Sequence, residues 1–244
     1  MKLWLIMRHQ IRLFLKTPNL LILLIAAPLF MIYIFGQSFQ AVWEKAATGF
    51  RALDYFGVTF LTLVVFNGAQ IALWGVHKEK KSHTEPRLRV APVEKDTVVY
   101  GTFLGTWIIL TVLTFLLVFL ARFVLSVDYG PSMVPVLLIL AAETLLAASL
   151  GVSMAVLLRE KTANALLSAV IVILCFLGGC YAMVPDSGVL HDISVVSPVR
   201  WVNLALMAAA RGGGSEYTGP ALLFCSLLSV LFIGLTGLKI RREK

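Results

Sequence analysis

Apolar residues fall in blocks of about 20, separated by short polar stretches, along nearly all of the 244 residues. At 1.5 Å of rise per residue such a block crosses the roughly 30 Å of a bilayer's hydrocarbon. The blocks near 19–37, 53–76, 98–122, 133–158, 164–184 and 220–238 therefore predict six spanning helices, an all-α integral membrane fold occupying 19–244. The first eighteen residues repeat differently. On a wheel of about 100° per residue, Leu3, Trp4, Ile6, Met7, Ile11, Phe14 and Leu15 share one face and Arg8, His9, Arg12 and Lys16 the other, with Leu5 and Gln10 as exceptions. This predicts an amphipathic helix over 1–18 lying in the membrane plane, cations toward headgroups and rings toward acyl chains, with Pro18 ending the run.

One segment fits neither description. From 165 to 211 the chain leaves its fifth block through Gly178, Gly179 and Cys180 and then continues apolar but interrupted by Pro185, Gly188 and Pro198. Backbone at membrane depth must satisfy its own hydrogen bonds, so a broken apolar stretch is tolerated where protein or a water-filled cavity covers it. A pair of re-entrant or interfacial helices between the fifth and sixth spans is expected.

Composition agrees with the pattern: 59% of residues are hydrophobic and 14% charged. The net charge of +8 is a topology signal, not a nucleic-acid signal, because Lys and Arg beside spans resist translocation. Lys2, Arg8, Arg12 and Lys16, then Lys78 to Lys95, then Arg159 and Lys161, then Lys239 to Lys244 all fall on one side of a six-span arrangement. Both termini of a multi-pass chain in the cell membrane are thereby expected in the cytoplasm, and the broken segment outside. The charged stretch ahead of the first block and the lack of a small-residue cleavage site argue against a removable signal peptide. Cys175, Cys180 and Cys225 lie in or near spans without a CxxC pairing and are expected to pack as small apolar residues, with no metal site.

Polar groups inside the blocks are few. Glu143 stands about ten residues into the fourth, about 15 Å from its start, where an ionisable side chain must face the bundle or a cavity. Ala147, Gly151 and Ala155 form a small-residue stripe on the same helix, suited to close helix packing. Pro28 is expected to kink the first span.

The loop from 77 to 97 carries a short helix signal, with Thr84 as cap, Pro86 in the first turn and Pro92 as stop. So short a helix is marginal alone and must dock on something. Within it Glu79, Thr84, Leu88 and Pro92 stand at the spacing E-x4-T-x3-L-x3-P, and the chain resembles the ABC-2 type transporter permeases along its full length. The Gly178-Gly179 exit, Pro185, and the Ser197–Trp201 stretch around Pro198 are similar to that family's late signature; His83 departs from it, where glycine is common.

The resemblance implies a permease subunit of an ABC exporter, working as a homodimer or heterodimer with two copies of a separate ATPase subunit that holds ATP and Mg. It implies a coupling helix between spans two and three, with Glu79, Lys80, Lys81, Thr84, Leu88 and Pro92 touching the ATPase. It further implies a translocation pathway lined by Asn67, Gln70 and Phe176, to which Glu143 is added by its depth in the membrane, and an external gate at Tyr181, Pro185, Pro198 and Trp201. An amphiphilic drug, peptide or lipid-like substrate follows, with drug efflux and antibiotic resistance as the corresponding roles. Independently, the sequence has no G-x4-G-K-[ST] phosphate loop, so no catalytic residue and no cofactor is expected in this chain.

Two other classes fit the chain less well. An ion-gradient-driven carrier would leave repeats with broken helices at midplane, and Glu143 leaves room for one. A six-span intramembrane enzyme would need converging catalytic groups, but His9, His77, His83 and His191 form no HExxH and no G-x-S-x-G occurs.

Overall fold

The computed structural model describes residues 2–45, 51–81, 95–181, 183–185, 187–212 and 216–242. These residues form α1 (Lys2–Leu15), α2 (Pro18–Ser38), α3 (Gln40–Lys45), α4 (Ala52–Lys81) and α5 (Lys95–Leu125). There follow α6 (Met133–Leu157), α7 (Glu160–Leu177), α8 (Val189–Ser194), α9 (Pro198–Ala210) and α10 (Thr218–Arg242). Among the described residues, α4, α5, α6, α7 and α10 are long and apolar enough to cross a membrane; α2 contributes a shorter apolar stretch, Leu24–Ser38. Pro28 lies inside α2, which continues past it.

The core is built around α4 and α6. In α4's span 72% of the residues are buried and in α6's 56%, against 22% in α7 and in α10, which makes α4 the central post and α7 and α10 its outer staves. The close contact of α4 and α6 follows from small residues. Ala147, Gly151 and Ala155 of α6 are all buried, and a Cβ added at Gly151 would run into the carbonyl oxygen of Ala69 and stand 2.8 Å from the Ala72 methyl. The far side of α6 is tied to α10, where Ser153 Oγ donates to the Phe232 carbonyl at 2.7 Å and lies 2.8 Å from Thr236 Oγ1. Ser and Thr bonds of this kind hold helices together where lipid supplies no hydrophobic drive.

At one end of α4 aromatic rings fix the α2–α3 corner: Trp43 lies 4.9 Å from Tyr55, and Phe35 meets Phe60 edge-on at 5.1 Å. An ionic clasp sits beside them. Arg51 donates to both Asp54 oxygens at 2.7 and 2.8 Å and to the Ser126 carbonyl at 2.8 Å, while Asp54 Oδ1 accepts the Asp128 amide at 2.8 Å. The bond to Asp54 raises the Arg51 pKa above its ordinary value. Tyr129, also in the α5–α6 loop, is buried and donates to the Gly57 carbonyl at 3.3 Å; burial pushes its phenol up.

The N-terminal helix corrects one detail of the wheel. α1 packs along α5, where Gly101 and Gly105, one turn apart, let the backbones approach: a Cβ at Gly101 would stand 2.7 Å from Ile6 Cγ2, and one at Gly105 3.0 Å from Gln10 Cβ. Gln10, an exception on the wheel, is thus central to the contact and buried, its amide 3.5 Å from Thr102 Oγ1. Trp4, Leu5 and Leu15 point outward instead.

Candidate functional site

The broken segment begins where α7 stops. Gly178 caps the helix and Gly179 adopts φ +79°, a left-handed conformation that favours glycine. The Gly179 amide then bonds back to the Phe176 carbonyl at 3.2 Å and the Cys180 amide to the Cys175 carbonyl at 3.0 Å. This paired pattern is a Schellman turn, and the apolar contact that usually accompanies it falls to the side chains of Cys175 and Cys180, both fully buried. The expected span over 164–184 therefore coincides with a helix that starts earlier, at Glu160, and ends at Leu177.

A helix end buried in protein leaves carbonyls that need donors. Here they come from two other helices. Asn203 of α9 gives its amide to the Gly178 carbonyl at 2.8 Å and Tyr55 of α4 gives its hydroxyl to the Gly179 carbonyl at 2.6 Å; Ser197, the cap of α9, adds its hydroxyl at 2.9 Å to the Leu174 carbonyl, which also accepts the Gly178 amide. Asn203 is held in turn by Thr62, whose hydroxyl donates to its Oδ1 at 2.7 Å. The result is a buried polar junction joining α4, the end of α7 and α9. A side chain at Gly178 would collide with Val199, so the approach of α9 also depends on glycine there.

Pro198 starts α9 at a position where a missing amide costs nothing, and its ring is buried. Trp201 donates to the Val195 carbonyl at 2.9 Å, and Arg200 reaches Ser194 Oγ, so α8 is fastened onto the first turn of α9. Tyr181 and Pro185 are exposed on the stretch between. Of the four expected gate residues, two build the α8–α9 corner and two lie on its open surface.

Of the expected pathway residues, Gln70 joins α4 to α7, Asn67 and Phe176 are exposed on those two helices, and Glu143 is buried. Asn67, Gln70 and Trp74 run along one face of α4 opposite α7: Gln70 donates to Ser168 Oγ at 2.8 Å and Trp74 to Asn164 Oδ1 at 2.9 Å, while Asn67, exposed, bonds only the Leu63 carbonyl of its own helix at 2.8 Å. Phe176 of α7 is exposed as well. Glu143 stands apart from this seam. It is fully enclosed, and neither carboxyl oxygen has a hydrogen-bond partner among the described residues.

Thr84, Leu88 and Pro92 of the expected coupling helix lie outside the described residues, and Glu79, Lys80 and Lys81 are described only as the last turn of α4's backbone. The residues that organise the junction, Asn203, Tyr55 and Thr62, were not singled out from the sequence. The available signal was Asn203 itself, a lone carboxamide on the face of α9 shared by Val199, Val202 and Leu206.

A search of curated proteins and of solved structures gave no match. A family model described as ABC-2 type transporter matches residues 1–210 of the 244, from α1 to the end of α9. With five helices fit to cross a membrane and a match over most of its length, the chain belongs to the ABC-2 type transporter family, as the multi-pass membrane component and not the ATPase.

Proposed function

We propose that the chain is the permease half of an exporter that moves an amphiphilic drug, peptide or lipid-like compound out of the cytoplasm, driven by ATP hydrolysis with Mg on a separate ATPase subunit. The observation that carries this reading is Asn67. It stands fifteen residues inside α4, about 22 Å along the helix, with its carboxamide exposed on the surface of the single chain. A polar side chain at that depth is costly against lipid and is tolerated where protein or water covers it. The face bearing Asn67, Gln70 and Phe176 is accordingly the one turned toward a second permease copy and the route between the two.

In this arrangement α2 is the sixth span, α1 lies at the inner headgroup boundary, and both termini are cytoplasmic, as the positions of Lys and Arg favour. α8 and α9 roof the outer end, with Tyr181 and Pro185 on the roof's surface. The segment from Glu79 to Pro92 meets the ATPase, Leu88 as its apolar anchor. Copurification tests the reading. An ATP-hydrolysing chain of soluble composition is expected to accompany the permease and to be lost in Leu88→Asp. Asn67→Leu is expected to weaken substrate-stimulated ATP hydrolysis, and unchanged stimulation with unchanged efflux would remove Asn67 from the route.

A further inference from the structure

Between α1, α4, α5 and the start of α7 lies a cavity of about 570 Å³, within the range of small-molecule pockets. Its wall is apolar and partly aromatic: Leu13 and Phe14 from α1, Ile71 and Trp74 from α4, Ile109 from α5. From Lys78 at its mouth to Ile71 is seven residues of α4, about 10 Å of depth. Trp74 lines this space and is 47% exposed, and its indole N–H is already given to Asn164, so the ring offers an apolar surface with no unmet polar demand.

The mouth is basic. Lys78 lines it, Lys16 is next in sequence to lining Thr17, and Arg159 and Lys161 flank lining Glu160; all four cations are exposed. Glu160 is the only carboxylate in the lining, and in the first turn of α7 it also complements that helix's dipole. A partly open apolar cavity lined by one lysine, with three more exposed cations next in sequence to its lining and an amphipathic basic helix beside it, matches a molecule with an acyl chain and a negatively charged head.

We propose that this cavity takes one acyl chain of an anionic phospholipid along Phe14, Trp74 and Ile109, with the phosphate at Lys78 and Lys16 and the second chain left in the bilayer. Its assignment to the cytoplasmic leaflet rests on the orientation given above. The site adjoins the inner end of the α4 face that bears Asn67 and Gln70, with Trp74 common to both, and the bound lipid fastens α1 to the inner ends of α4 and α7.

The full chain is reconstituted in nanodiscs of equal phosphatidylglycerol and phosphatidylcholine, with brominated acyl chains on one lipid or the other. The Trp74 contribution to quenching is the difference between wild type and Trp74→Phe. The expected result is a preference of at least about fivefold for brominated phosphatidylglycerol, the size that one of the two lysines supplies near an anionic surface. The preference should vanish in Lys16→Gln/Lys78→Gln and persist in Arg242→Gln, at the end of α10, which does not line the cavity. Lipid retained by the purified protein, compared between wild type and the double variant, gives a second measure that needs no tryptophan change. Equal quenching by the two lipids, no quenching of Trp74 by either, or a preference that survives loss of both lysines would overturn the proposal. Nanodisc leaflets are alike, so the preference is measured whichever way the chain inserts; a reversed insertion, seen with terminal tags, would overturn the leaflet assignment alone.

Discussion

Replacing Asn203 with leucine removes the centre of the polar junction while keeping the side chain's branched shape and number of heavy atoms. The two ends of the carboxamide are unequal in what they leave behind. Thr62 retains an acceptor, the Val58 carbonyl at 3.4 Å, whereas the Gly178 carbonyl at the end of α7 loses the donor that Asn203 supplied at 2.8 Å. Interhelical hydrogen bonds in membrane proteins average about 0.6 kcal/mol and reach about 1.7; a buried group left unsatisfied costs about 1–3 kcal/mol. The expected loss is about 2 kcal/mol, a factor of about 30 in the folding equilibrium. Thr62→Val should cost less, about 0.6–1 kcal/mol, because Asn203 keeps its bond to Gly178. In the double variant the effects should fall short of additivity by about 0.5 kcal/mol or more, since each side chain serves the other. Unfolding from mixed micelles by titration with sodium dodecyl sulfate gives all three values. An Asn203→Leu protein within about 0.5 kcal/mol of wild type, or strict additivity with Thr62→Val, would refute the account of how α7 ends.

Gly151→Ala should destabilise by about 1–3 kcal/mol, its methyl group meeting the Ala69 carbonyl, whereas Gly234→Ala, with open space around it, should be neutral in the same titration. Glu143→Leu should stabilise the protein by about 1–3 kcal/mol, because a carboxyl without partners is exchanged for an apolar side chain; a loss of stability would show that the carboxyl is engaged. Tyr129 gives a pH dependence. Its folded pKa is raised above the unfolded value near 10, so its contribution is complete below about pH 10 and is lost as the pH rises further. Above that point Tyr129→Phe should lose stability less steeply than wild type, by about 1.4 kcal/mol per pH unit, in alkaline unfolding followed by fluorescence.

What the sequence made legible is what repeats along one helix. The small stripe at Ala147, Gly151 and Ala155 is visible as a period, and its close packing on α4 follows. Glu143 is legible from its depth as turned away from lipid, toward the bundle or a cavity, but not as enclosed. Gln10, Asn203 and Tyr55 were not, because each is defined by a partner elsewhere in the chain: Gln10 meets Thr102, Asn203 meets Gly178 and Thr62, and Tyr55 meets Gly179, 124 positions away. The clasp of Arg51, Asp54 and Asp128 escaped for the same reason, since by charge alone Arg51 registers only as a cation outside a span. The seam shows the converse. Asn67, Gln70 and Phe176 could be named as polar and aromatic residues inside blocks, but nothing local separates them from Glu143, which tertiary packing encloses.

The two ends of α7 are fastened by different kinds of bond. Near Gly178 the attachments are to backbone carbonyls that cannot move without unwinding the helix, while along Asn164 and Ser168 they are two side-chain pairs that rotamer changes can exchange. Mechanically this is a lever with one fixed end. The eighteen residues of α7 give an arm of about 27 Å, so a tilt of only about 10° about the Gly178 end would carry the Glu160 end by about 5 Å. A force applied beside Glu160 is thereby converted into a large displacement at one end of the helix and almost none at the other.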